Sequence, residues 1–136
     1  MKQVMLSMIR ATMPVLLLAT GSVQAGDVEI KNVYLNQQGS SWRADVTLKH
    51  ADIGWEHYAD AWRLVDAAGK LIATRVLYHP HVNEQPFTRS LDNIKIPAGT
   101  DILFIEAHDK QHGWSSQRVK VDLSTSSGER YHIRRK

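Results

Sequence analysis

Cysteine is absent from the 136-residue sequence. That single absence excludes disulfides, thiolate metal ligands, a cysteine nucleophile and a cysteine-linked lipid anchor within these residues. Methionine is scarce and confined to the start, at Met1, Met5, Met8 and Met13, so thioether chemistry further along the chain is excluded as well. Long apolar runs are missing. The segment Met13-Pro14-Val15-Leu16-Leu17-Leu18-Ala19 is far shorter than the roughly 20 residues that span a bilayer, and nothing later exceeds it. No stretch of ten or more residues carries a convincing amphipathic helical period, and no internal repeat is visible. A phosphate-binding glycine loop, a nucleophile elbow and a metalloprotease helix are also lacking, which leaves an enzyme as the least supported class.

The first segment has an address to read. Lys2 and Arg10 give a positive start, the apolar segment follows, and Val23-Gln24-Ala25 forms a small-residue cleavage site. Residues 1–25 are therefore expected to be a cleavable signal peptide, with the working protein periplasmic or secreted. No Arg-Arg pair precedes the apolar segment, which favours the general export route and acquisition of any cofactor afterwards. Cleavage would remove every methionine and two positive charges, taking the net charge of +3 towards neutrality. A nucleic-acid partner is not expected on that balance. The remaining domain, expected over 26–123, is long enough to bury a core without staples. Residues 124–136, with Arg130, Arg134, Arg135 and Lys136 after a Ser/Thr/Gly stretch, read as a basic, flexible tail, and the sequence leaves open whether Tyr131-His132-Ile133 adds a final strand.

From Asp27 the apolar pattern has period two. Trp42, Ala44, Val46 and Leu48 alternate with Arg43, Asp45, Thr47 and Lys49, as in a strand with one buried face. Strands are expected at about 27–35, 42–50, 57–66, 71–78, 87–96, 101–108 and 116–123. Seven short antiparallel strands, with Trp62 in the third, predict an all-β sandwich that resembles immunoglobulin and fibronectin type III domains in architecture. The antibody-type disulfide is missing, and such a fold implies no activity.

Consecutive antiparallel strands alternate direction, so successive connections alternate between the two ends of a sandwich. Plain glycine turns at 36–40, 66–70 and 97–100 fall at one end. The connections at about 50–57, 79–86 and 108–114 fall at the other, and in or beside them lie His50, His57, His79, His81, His108 and His112, leaving only His132 elsewhere. His50 continues the inward phase of Trp42 to Leu48. His79-Pro80-His81 sets two imidazoles at i and i+2 of a segment that proline biases towards extended, and His108 and His112 flank a short hairpin loop. Each histidine also has a plain reading as a solvated loop or core-edge residue. Asp52, Glu56, Glu84 and Asp109 share this end as orienting groups, ligands or solvated loop residues. Asp60, on the tryptophan side of its strand, needs a partner that Arg75 or Arg89 could supply. Trp55, Tyr58, Tyr78 and Trp114 either close the open end by packing or form an exposed aromatic patch.

The segments Gly54-Trp55-Glu56-His57-Tyr58-Ala59-Asp60, Arg75 to Ser90 and Ala107 to Gly113 together resemble a pattern of small secreted proteobacterial proteins of uncharacterised function. That resemblance implies a periplasmic protein and assigns no site.

The leading expectation is a periplasmic metal-binding protein, with His50, His57, His79, His81, His108 and His112 as ligands for zinc, copper(II) or nickel. The alternative is a non-catalytic module that grips a protein or small ligand with Trp55, Tyr58, Glu84 and Trp114.

Overall fold

The computed structural model describes residues 27–136; the expected signal peptide lies outside them. Among the described residues there is no helix long and apolar enough to cross a membrane. The described residues are all β, in ten strands: β1 (Glu29–Gln38), β2 (Ser41–Lys49), β3 (Ala59–Asp66), β4 (Leu71–Val76), β5 (Phe87–Ile94), β6 (Ile102–Asp109), β7 (Gly113–Trp114), β8 (Val119–Asp122), β9 (Ser127–Gly128) and β10 (Tyr131–Arg134). One sheet runs β5-β2-β1-β10-β9 and the other β4-β3-β6-β7, with β8 also paired to β6.

The period-two pattern explains which side chains meet between the sheets. Trp42, Ala44, Val46 and Leu48 of β2 point inward, as do Trp62 and Leu64 of β3 and Leu103, Ile105 and Ala107 of β6. Pairing keeps these rows in step: Val33 lies opposite Val46, Leu35 opposite Ala44, and Leu64 opposite Ile105. In β1 the phase changes, because the register shifts between Ile30 and Asn32, so Ile30, Val33 and Leu35 are all buried. Trp62 is fully buried and fills the centre.

Ten strands rather than seven is the first correction to the expected fold. The seven expected ones are present with ends moved by up to three residues, and β7, β9 and β10 are added. The second correction concerns 124–136, which are no loose tail: β10 pairs parallel with β1, Val33 opposite Tyr131 and Leu35 opposite Ile133, and buries both Tyr131 and Ile133. The sandwich is therefore mostly and not wholly antiparallel. The physical reason is that β10 has only four residues, YHIR, after a polar turn, too short for its two inward side chains to stand out as a period.

The strand directions bring the end of β2, the start of β3, the end of β4, the start of β5, the end of β6 and the start of β1 to one end of the sandwich. Hydrogen bonds knit that end together. His50 N donates to Gln85 Oε1 at 3.0 Å, Gln85 Nε2 donates to His81 O at 2.9 Å, and Lys110 N donates to Tyr58 O at 3.2 Å.

Candidate metal centre

His50 is the first residue past β2 and keeps that strand's inward phase, so its ring is wholly buried. Its Nδ1 lies 2.5 Å from Asp52 Oδ1. Asp52 is equally enclosed and has two further donors: Ala59 N reaches Oδ1 at 3.1 Å and His81 N reaches Oδ2 at 2.7 Å. With Nδ1–H donated to this fixed carboxylate, a neutral His50 ring carries its lone pair on Nε2. That atom faces Asp109, with Nε2 to Oδ2 at 4.0 Å.

Asp109 ends β6 in the inward phase of Leu103, Ile105 and Ala107, and its side chain is 1% exposed. The tight turn from Asp109 to Gly113 holds it. Gly113 sits at φ +76°, a conformation that strains residues with a Cβ. This turn aims the N–H groups of Gln111 and His112 at Asp109 Oδ1, at 2.9 and 2.7 Å. Burial pushes the Asp109 carboxyl up, but those two N–H groups and the His112 imidazole outweigh it and hold it below the ordinary carboxylate value. A buried carboxylate is thus kept ionised at the mouth of the core.

His57 completes the group. Gly54 and His57 form an isolated bridge that folds the β2–β3 connection back over the end. His57 Nε2 comes 3.3 Å from Asp109 Oδ1, yet its direction satisfies no hydrogen bond, so a buried ring nitrogen is left unmatched. The His50 and His57 rings meet edge to face with centroids 4.7 Å apart. His50, His57 and Asp109 each offer one ligand atom, all within 4.8 Å of one another, and all three are buried. The group could hold a metal ion. Bonds of about 2.0–2.1 Å in a tetrahedral site set ligand atoms about 3.4 Å apart. The separations of 3.3 and 4.0 Å are close to that.

The other expected ligands are placed differently. His112 lies at the rim, its ring centroid 5.1 Å from that of His57 and its Nδ1 3.1 Å from Asp109 Oδ1. His81 is buried but turned away: its ring stacks on Phe87 at 4.0 Å and its Nε2 lies 2.6 Å from Arg89 Nη2. Burial and the Arg89 guanidinium hold the His81 ring below the usual imidazole range. His79 is exposed, 4.6 Å from His81 between ring centroids. His108 stands on the outer face of the β3–β6 sheet, with Nδ1 2.5 Å from Asp60 Oδ1 and its ring edge-on to Trp114.

Asp60 therefore finds its partner in His108 and not in Arg75 or Arg89, because the β3–β6 register shifts between Ala59 and Ala61 and turns Asp60 outward. Of the aromatic residues, Tyr58 is buried, whereas Trp55, Tyr78 and Trp114 are exposed, the first two by 64% and 73%. Trp55 rests edge-on against Tyr58, and Arg63 covers the Trp114 ring at 3.7 Å. Glu84 is exposed, with Oε1 3.9 Å from Arg89 Nη1.

Two carboxylates carry more of the site than the spacing of histidines suggests. Asp109 follows from phase: with Leu103, Ile105 and Ala107 inward, Asp109 must be inward and His108 outward. Asp27 lies two residues before β1, whose start strand direction assigns to this same end, and together with Asp109 and His112 it forms a second group of ligand atoms within 4.8 Å.

No family model matches the chain. Over 110 residues it is 36% identical to a protein named "Putative lipoprotein" from Halomicrobium mukohataei, an alignment covering 80% of this chain and 53% of that protein. The chain thus spans about half the length of the curated relative it matches.

Proposed function

We propose that this is an exported metal-binding domain, processed after Ala25, that holds one divalent transition metal on His50, His57 and Asp109. The observation that carries the reading is the convergence of three buried ligand atoms, one of them the unmatched His57 Nε2, to within 4.8 Å of one another. Burying two imidazoles and a carboxylate this closely costs stability unless something compensates, and a cation compensates directly. Asp52 behind His50 is the carboxylate–histidine support that metal-bound imidazoles ordinarily have. Two nitrogens and one oxygen suit zinc first, then copper(II) or nickel, and the lack of cysteine and methionine after residue 25 disfavours copper(I). The name of the relative supports an extracytoplasmic setting, although none of these 136 residues is a cysteine to which a lipid could be linked.

The immunoglobulin-like reading of the architecture is retained as part of this proposal. The neighbour orders β5-β2-β1 and β4-β3-β6-β8 support it: in this reading β1, β2 and β5 correspond to strands A, B and E, and β3, β6 and β8 to C, F and G, with β4 added beside β3.

Equilibrium dialysis against zinc, copper(II) and nickel tests the function. One ion per chain is expected, with binding lost in His57→Ala and in Asp109→Asn. Failure of the wild-type protein to retain any of the three metals would sink the reading. One observation favours the second reading, a module that grips a partner: Trp55, Tyr78, Ile53 and Val82 are exposed around the same end. Partner capture that survives His57→Ala but not Trp55→Ala would support it.

A further inference from the structure

The inner group is too enclosed to be reached in one step. The side chains of His50 and Asp109 are 0% and 1% exposed, and that of His57 is 11% exposed. A hydrated divalent ion would have to shed most of its water at once to enter such a site. A second group overlaps it. Asp27, Asp109 and His112 also offer three ligand atoms within 4.8 Å of one another, and their burial is graded: Asp27 half-buried, Asp109 buried, His112 exposed. The two groups share Asp109, and its carboxylate faces both ways. Oδ1 lies 3.3 Å from His57 Nε2 and 3.1 Å from His112 Nδ1, while Oδ2 lies 4.0 Å from His50 Nε2 and 3.2 Å from His112 Nδ1.

We infer that Asp27 and His112 form an entry port that captures a divalent metal ion at the rim and passes it, through the shared Asp109 carboxylate, to His50 and His57. The inference rests on the reading that the inner group holds metal. The transfer is ligand substitution without redox change. At the rim the ion exchanges water for Asp27, Asp109 and His112; the proton that lies between His112 Nδ1 and Asp109 passes to Nε2 of the ring, so that Nδ1 carries the lone pair that binds the ion. Asp109 keeps its bond while His57 Nε2 and then His50 Nε2 displace Asp27 and His112. Each step exchanges one ligand for another already within reach, since the His57 and His112 rings are neighbours at 5.1 Å between centroids. Asp27 adds an anionic charge at the mouth that attracts the cation.

A port sets rates and leaves the final equilibrium alone, and this separates it from a ligand. The experiment mixes purified protein with zinc in a stopped-flow instrument, then removes the zinc with excess chelator, for wild type, Asp27→Asn, His112→Gln and the double variant. Loading and removal are both expected to slow by about tenfold or more in the double variant, with the equilibrium dissociation constant unchanged. Unchanged rates with intact affinity overturn the port alone. A matching loss of affinity makes the two residues ligands of the resting site, and a second zinc bound at equilibrium makes the rim a site of its own; either overturns the transfer. A wild-type protein that binds no zinc at equilibrium overturns the inner site and the port with it.

Discussion

Asp52 shows how much one side chain can carry at this end of the molecule. Its two oxygens accept from His50 Nδ1, Ala59 N and His81 N, so it joins β2, β3 and the β4–β5 connection while fixing the ring of His50. Asp52→Ala would leave three buried donors without an acceptor. The expected cost is about 3–5 kcal/mol in urea unfolding of the metal-free protein, where removing one member of a buried charged network usually falls. Metal affinity should drop by about 10- to 100-fold in the same variant, as when other supports of metal-bound histidine are removed. His81 gives a pH dependence whose sign is fixed by its environment. Burial, then Arg89, lowers its folded value below the 6.5 of an unconstrained ring. The unfolded chain therefore binds more protons between the two values, and stability is fully present above about 6.5 and lost as pH falls through the lowered folded value. Thermal melts of metal-free protein from pH 7.5 to pH 5 should show this loss, and His81→Asn should flatten that part of the curve.

At the scale of elements, alternation of side chains made the long strands legible. Wherever six or more residues alternate, as in β2 and β6, both the strand and its buried face follow from sequence. The two-residue strands Gly113–Trp114 and Ser127–Gly128 carry no period at all, and β10 stays undecided in sequence because it is short and follows a Ser/Gly-rich turn that looks like a linker. The same alternation reaches the site: His50 inward was legible, and Asp109 inward with His108 outward is the same rule carried one strand end further. The bulged Asp60 was not legible, since no local pattern announces the register shift between Ala59 and Ala61. The β9–β10 hairpin offers its own test. A Cβ on Gly128 would stand 2.3 Å from the Tyr131 ring, and that ring is buried and held by hydrogen bonds of its hydroxyl with Thr125 Oγ1 and Asp122 N. The ring has little room to give, so Gly128→Ala is expected to cost about 1–3 kcal/mol, as other overpacking changes do. Calorimetry would show a lower melting temperature, and β10 amides should exchange faster with deuterium.

Over the whole molecule, the two sheets meet in a disulfide-free core, and at one end that core gives way to ionisable groups. The buried apolar row of β6 runs into Asp109 and that of β2 into His50, so the site is the continuation of the core in polar residues. A metal there would tie β2, the β2–β3 connection and β6 together across the two sheets, a cross-link of the kind that disulfides supply in other small domains. Binding to the native state alone stabilises by mass action, about 2.7 kcal/mol when free metal is a hundredfold above its dissociation constant. For a domain of this length that corresponds to a rise in melting temperature of roughly 10 °C. The rise should grow with the logarithm of zinc concentration in wild type and vanish in His57→Ala, because His57 supplies one of the three proposed ligand atoms and its loss leaves the core row intact. Core stability measured in chelator separates the two contributions. His57→Ala should melt close to wild type there, since its Nε2 has no hydrogen bond to lose, whereas a large drop in chelator would mean that the imidazole holds the end of the sandwich by packing alone.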